Sequence, residues 1–246
     1  MATPSSGSGP RSASASARSR TLETLRRRIV TLELPPGAPV SENELAQSLQ
    51  MSRTPIRESL ILLQQEGLIQ VFPQVGSFVS LVDIDRVAQA QFIREAIECA
   101  SLVDAVREAS QSDIDTLQDI LVQQQEATSG DDVEQFFLLD EQFHRELLRT
   151  GGHESAWTAV TSAKAHLDRA RRLSLLDTRP IGTLIDQHTD VIDALADRDV
   201  TRALEALRLH LRAVFEDIEH IKASRPHLFS DGTPPRPNRR TVSSLA

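Results

Sequence analysis

The chain has 246 residues, 39% hydrophobic and 25% charged, with a net charge of -8 and a single cysteine. That is apolar material for one or two domains. No run of ~18 apolar residues marks a membrane span, and the lone Cys99, in the helical stretch "REAIECASLV", excludes an internal disulfide framework and leads to an expected cytoplasmic location.

The charge is unevenly spread. Residues 1–80 hold 8 Arg against 6 acidic residues, residues 81–223 hold 15 basic against 28 acidic ones, and residues 224–246 hold 4 Arg against one Asp. Such a balance argues against a polyanion-binding surface over the whole molecule but permits a local one at the front.

Residues 1–20 are Ser, Ala, Gly, Pro and Arg without the apolar core of a secretory signal. They are expected to be a disordered tail, as are residues 224–246. Thr21 to Leu34 is amphipathic through Leu22, Leu25, Ile29 and Leu32, and halts at Pro35-Pro36-Gly37. Ser41-x-x-Glu44 is a capping box for a second helix. A third starts at Ser52 or Thr54, with Pro55 in its first turn, and ends at Gly67. "LIQVFPQVGSFVSLV", residues 68–82, carries two β-prone runs and predicts a two-stranded hairpin. After Asp83 the apolar period predicts about six helices, over 84–109, 112–128, 132–149, 154–176, 182–197 and 199–222. The expected fold is therefore mainly α: a winged helix-turn-helix over 21–82, then an all-helical bundle over 83–223.

In the third helix Ile56, Leu60, Leu63 and the following Leu68 form the inner stripe, which leaves Arg53, Thr54 and Arg57 at the N-terminal end and facing out. A recognition helix offers that end to the major groove, and the planar arginine fork can bond guanine O6 and N7 together. The triple arginine at 26–28 is available for backbone contacts. "LELPPGAPVSENELAQSLQMSRTPIRESLILLQQEGLIQVFPQVGSFVS" resembles the DNA-binding domain of the GntR family of bacterial regulators: Pro36-Gly37, Ser52 to Glu58, Leu63 to Leu68 and Gly76 match its pattern. The resemblance implies that Ser52, Arg53, Thr54 and Arg57 face the operator and that Asn43 and the wing tip at Gly76 approach the DNA backbone or minor groove. Two copies would read a near-palindromic operator, as two-fold symmetry demands.

Asp140 and His144 are four residues apart in "LLDEQFHREL", on the side of the helix that also carries Phe136, Phe137, Phe143 and Leu147. His188 shares a stripe with Leu184, Ile185, Val191 and Ile192, and His210 shares one with Leu207, Leu211, Val214 and Ile218. Four polar groups without partners would cost several kcal/mol to bury. A divalent cation (zinc first, otherwise nickel, manganese or iron) satisfies them together and keeps open positions for an anionic ligand. His153, His166, His220 and His227 fit the pattern less well.

This series is similar to the metal-binding type of the FCD effector domain of the FadR-like GntR branch. The resemblance implies that Asp140, His144, His188 and His210 hold a metal and that a small organic acid binds beside it. By the same resemblance Arg94 would pair with the acid's carboxylate, unless Arg94 forms a surface pair with Glu98. Of Arg169, Arg171 and Arg172, Arg169 is taken to face the cavity. The expected protein is a homodimeric, acid-responsive regulator, first of all a repressor, and not an enzyme. The rival readings are a metal-dependent enzyme acting on a small carboxylate and a regulator with a purely structural metal.

Overall fold

The computed structural model describes residues 10–177 and 181–230, with side chains over 18–176 and 181–230. The chain divides into two compact units, one of residues up to Val82 together with the segment from Leu228 onward, the other of Asp83–His227.

The first unit contains α1 (Pro10–Val30), β1 (Pro39–Val40), α2 (Glu42–Ser48), α3 (Arg53–Gln65), β2 (Ile69–Phe72) and β3 (Gly76–Val79). Helix α1 begins at Pro10 rather than at Thr21, a correction to the expected tail; the Ala and Arg that precede Thr21 are strong helix formers and extend the helix backward. Residues 1–9 lie outside the described residues.

Leu25 and Ile29 of α1 are buried with Leu45 of α2 and Ile56, Leu60 and Leu63 of α3. One half of the capping box forms at α2, where the Glu44 N–H donates to Ser41 Oγ at 3.4 Å. The connection to α3 is tight because Gln50 takes a left-handed backbone, φ 52°. The hairpin β2–β3 has the register Ile69 opposite Val79 and Phe72 opposite Gly76, and β1 adds a third antiparallel strand on the other edge of β3, in the order β1-β3-β2. A strand of two residues, Pro39 and Val40, carries no period of its own, so only the hairpin is visible in the sequence.

Residues 228–230 rejoin this unit. A short 3-10 turn, Pro226–Leu228, leads to Phe229, which pairs in parallel with Val82 through Val82 N–H to Leu228 O and Ser230 N–H to Val82 O, both 2.9 Å. Phe229 and Val82 are buried. Residues 224–230 are therefore not a tail, since a buried aromatic side chain offsets the entropy of ordering them; residues 231–246 lie outside the described residues.

The second unit holds α4 (Ile84–Glu108), α5 (Gln111–Ser129), α6 (Val133–Thr150), α7 (Trp157–Ala163), α8 (Ala165–Asp177), α9 (Ile181–Ala196) and α10 (Val200–Ser224). Acidic and hydroxyl side chains start several of these helices: Asp83 caps α4, Asp132 caps α6 and Asp199 caps α10. Ser110 and Asp113 form a reciprocal capping box on α5. The helix expected over 154–176 is broken into a 3-10 turn, α7 and α8, with the interruption at Lys164. No Gly or Pro announces that break; it turns Lys164 inward, where its ammonium pairs with Asp168 at 2.7 Å and with Glu141. The core joins Leu102, Leu117, Phe136, Phe143, Val191, Leu195, Leu207 and their neighbours. Among the described residues, no helix is long and apolar enough to cross a membrane.

Candidate metal centre and nucleic-acid interface

Helix α6 brings Asp140 and His144 to one level because residues four apart stack on the same face. Helix α9 contributes His188 and α10 contributes His210, and all four side chains are buried with a ligand atom from each within 4.8 Å of every other. The three imidazoles converge through Nε2: His144 to His210 at 3.1 Å and His188 to His210 at 3.2 Å. Asp140 lies 3.8 Å from His144 Nε2 and 3.7 Å from His188 Nε2. Phe143 stacks on His188 with ring centroids 4.2 Å apart, which fixes that ring from the apolar side.

The other nitrogen of each ring is already engaged. Nδ1 of His144 meets Glu98 Oε2 at 2.7 Å, Nδ1 of His188 meets Gln124 Oε1 at 2.8 Å, and Nδ1 of His210 meets Gln187 Oε1 at 3.1 Å. Each of these oxygens is an acceptor, so each ring carries its proton on Nδ1 and turns a bare Nε2 lone pair toward the centre. Burial pushes the His188 pKa down to about 3 and His210 well below its ordinary value, which keeps both rings neutral. Three lone pairs at hydrogen-bond distance repel one another. Asp140 Oδ1 is buried with no hydrogen-bond partner among the described residues. A cation relieves both problems, and a three-nitrogen, one-oxygen donor set suits a first-row divalent metal. The residues present fit such a group.

Glu98 sits behind His144 and also accepts from Arg94 Nε at 2.7 Å. Burial works against its charge, but Arg94 and His144 outweigh it and hold the carboxyl down to about 2. The Arg94–Glu98 pair is thus interior and not a surface pair, with Arg94 at 2% and Glu98 at 1% exposure. Arg94 Nη2 has no hydrogen-bond partner among the described residues. It lines a cavity of about 30 Å³ beside Asp140 and His210, together with Arg171, Ser174 and Asp217. Arg171 bonds Asp140 Oδ2 and also Glu141 Oε1, the latter at 2.8 Å.

Arg169 is buried but is not among the described residues lining this cavity; Arg171 is. Adjacent arginines on one helix point ~100° apart per residue, so the turn at Lys164 selects which of them faces α6. Sequence reasoning named Glu98 only as a partner of Arg94 and not of His144, and it missed Gln124 and Gln187, whose polar side chains give no sign in sequence of what they touch.

In the first unit, Ser52, Arg53, Thr54 and Arg57 are exposed at the start of α3, Asn43 is exposed on α2, and Gly76 is exposed at the wing. Ser52 takes the N-cap backbone without a side-chain cap bond, so its hydroxyl does not occupy the N–H groups of the first turn. A helix start of this kind favours phosphate. Arg53 is steadied by Glu42 at 3.2 Å. The arginines at 26 and 28 have other roles: Arg26 forks onto Glu66 at 2.9 and 2.6 Å, and Arg28 holds Glu33 at 2.6 Å.

Residues 17–79 match the family model "Bacterial regulatory proteins, gntR family", and residues 89–213 match the FCD domain. The chain belongs to the gntR family. It is a DNA-binding transcriptional regulator with an FCD domain, and its family is one of regulators rather than enzymes. It is 52% identical over 218 residues to an uncharacterized HTH-type transcriptional regulator in an unstable DNA locus of Streptomyces ambofaciens, covering 89% of this chain and 92% of that one. It is 36% identical over 207 residues to the HTH-type transcriptional repressor RspR of Escherichia coli K12, covering 84% and 91%. Solved structures share the fold: E. coli McbR/YncC, with TM-score 0.68 at 20% identity over 83% of this chain and 97% of that one, and a GntR regulator from Rhodococcus sp. RHA1, with 0.68 at 21% over 83% and 98%. Regulators of this family bind DNA operators, and FCD domains bind small-molecule effectors.

Proposed function

We propose that this GntR-family regulator is a cytoplasmic repressor. Two copies would occupy a near-palindromic operator and be released from it when a small organic acid binds beside a divalent metal. Asp140, His144, His188 and His210 hold the metal, zinc first, and Glu98, Gln124 and Gln187 orient the three rings. When bound, the metal supplies a Lewis-acidic centre that polarises and fixes an acid's oxygen atoms. Arg94 Nη2 and Arg171 take the acid's carboxylates, since a planar guanidinium matches a carboxylate edge to edge. On the DNA, Arg53, Thr54 and Arg57 reach base edges or phosphate from α3, with Ser52, Asn43 and Gly76 alongside.

The observation that carries the effector reading is the unpartnered Arg94 Nη2, buried next to three converging Nε2 atoms and the orphaned Asp140 Oδ1. The cavity, at about 30 Å³, has room for water and not for an acid. Entry of an acid therefore requires its walls, α8 and α9 among them, to move apart. That requirement couples binding to a change of arrangement, because the acid has affinity only for the opened state.

The test combines metal analysis of the purified protein with operator binding titrated against a panel of di- and tricarboxylic acids. Bound metal that falls on His188→Ala, with an acid that weakens operator binding only in the wild type, is the expected result. Absence of metal together with unchanged binding in every acid would sink the reading.

A further inference from the structure

Helix α3 turns a stripe of polar side chains outward, Arg53, Thr54, Arg57, Glu58, Gln64 and Gln65, with Ile61 in the middle of it. Ile61 is 48% exposed. It follows Thr54 by seven residues and Arg57 by four, so at ~100° per residue it falls within about 20° of Thr54 around the helix axis. Side chains three, four and seven residues apart are those with which a recognition helix reads neighbouring bases. Thr54, Arg57, Glu58 and Ile61 have that spacing. From first to last they cover about 10 Å of helix, roughly three base-pair steps. Single aliphatic residues scattered over a surface are ordinary, but those of the first unit are not scattered. Among its described residues the large exposed apolar side chains are Ile61, Val71 and Val75, all on α3 or the β2–β3 hairpin. Nor does the isoleucine serve the helix, since its propensity is below that of the Arg, Glu and Gln around it.

We propose that Ile61 is a base-reading residue, its side chain packed against the C5-methyl group of an operator thymine about two base-pair steps beyond the base met by Arg57. An alkyl side chain has no hydrogen bond to offer. In the major groove the thymine methyl is the apolar group that such a side chain can recognise, every other distinguishing mark there being a donor or an acceptor. Ile61 also discriminates by exclusion. A cytosine in the same place would turn its N4 amino group against the isoleucine, and a buried donor left without a partner costs free energy. Arg57 and Ile61 thus divide the reading between them, a guanidinium for guanine and an alkyl group for thymine, on adjacent turns of one helix.

The proposal rests on the reading that lays α3 in the major groove, and its test keeps the two apart. The full-length wild-type protein selects a duplex from a randomised pool. Each thymine of that duplex is then replaced in turn by deoxyuracil, which removes the methyl group and leaves every hydrogen-bonding position in place. Fluorescence anisotropy gives the affinity of wild type, Ile61→Ala and Arg57→Ala for each duplex. At one thymine of each half-site, loss of the methyl should weaken wild-type binding about fourfold, the worth of one buried methyl-sized group. Ile61→Ala should bind the unaltered duplex at least that much more weakly and lose nothing further when that thymine becomes uracil. Its thermal unfolding should match wild type, because Ile61 takes no part in the core. The proposal is overturned if no thymine is sensitive, if uracil costs wild type and Ile61→Ala the same at every position, or if Ile61→Ala binds as wild type does. Should Arg57→Ala lose affinity while Ile61 shows no coupling to any methyl group, α3 keeps its place in the groove and Ile61 alone loses its role. Should Arg57→Ala bind as tightly as wild type, the groove reading falls and this inference with it.

Discussion

Glu98 Oε2 accepts the Nδ1 proton of His144 at 2.7 Å, and both side chains are fully enclosed. The contact fixes the tautomer that leaves Nε2 bare. Glu98→Gln keeps the shape but offers a neutral amide whose nitrogen can donate to the ring instead. The expected outcome is a 10–100-fold loss of metal affinity, the usual effect of removing an outer-shell partner, with the circular dichroism spectrum unchanged. Competition with a metallochromic chelator measures it, and an unchanged affinity would show that Glu98 does not orient the ring.

Arg171 spans Asp140 and Glu141 and is itself nearly enclosed. Removing one partner of a buried ion pair costs about 3–5 kcal/mol because the other charge is stranded. Arg171→Met should therefore lower the melting temperature of chelator-treated protein strongly. Added metal should recover part of the loss, since a bound cation again faces Asp140 and binding to the folded state stabilises it. Equal losses with and without metal would separate Arg171 from the metal site.

Arg57 is exposed on α3, with no part in the core. Arg57→Ala should leave thermal unfolding unchanged and cost about 1–3 kcal/mol of operator affinity if its fork reads a base. Fluorescence anisotropy on operator and scrambled DNA distinguishes the cases. A loss equal on both sequences would place Arg57 on phosphate alone.

Gly151 ends α6 against α4 so closely that an added Cβ would lie 2.4 Å from the Ser101 carbonyl oxygen. That neighbour is backbone and cannot swing away. Gly151→Ala should destabilise the helical unit by roughly 1–3 kcal/mol, the usual cost of overpacking, whereas Gly152, whose added Cβ would meet nothing within 4 Å, is held only by its φ of +78°. Chemical denaturation of the two alanine variants compares a clash with a backbone preference.

Asp113 closes the capping box on α5: its hydrogen bonds to Ser110, backed by Arg149, bring its pKa from 3.8 to about 2. A folded-state pKa below the unfolded one means that the stabilisation is present above pH 3.8 and is lost as pH falls toward about 2. The gap in melting temperature between wild type and Asp113→Ala should thus be full at neutral pH and close through that window. A gap that is constant with pH would contradict the assignment.

The convergence of Asp140, His144, His188 and His210 was legible because each interrupts an apolar stripe at helical spacing, so one period places all four inward. Glu98 was not, because an Arg and a Glu four residues apart look the same in sequence whether water or another helix covers them; only the packing of α6 on α4 decides. Arg169 and Arg171 exchanged places for a related reason. Their directions follow from the bend at Lys164, which arises from ion pairs between distant residues and not from a local breaker. The winged unit was legible down to its hairpin through turn residues and alternation, but Pro39–Val40 is too short to have a pattern.

The parallel pairing of Val82 with Phe229 has a practical side. The DNA-reading head is stitched together from two stretches that lie nearly 150 residues apart in the gene. Cutting the gene after codon 82 to obtain a portable reading head would discard an aromatic plug and strip two backbone hydrogen bonds from the new carboxyl end. Anyone grafting this head onto another sensor should carry residues 226–230 across as well, joined by a linker, because the head is completed only after the whole helical unit has been synthesised.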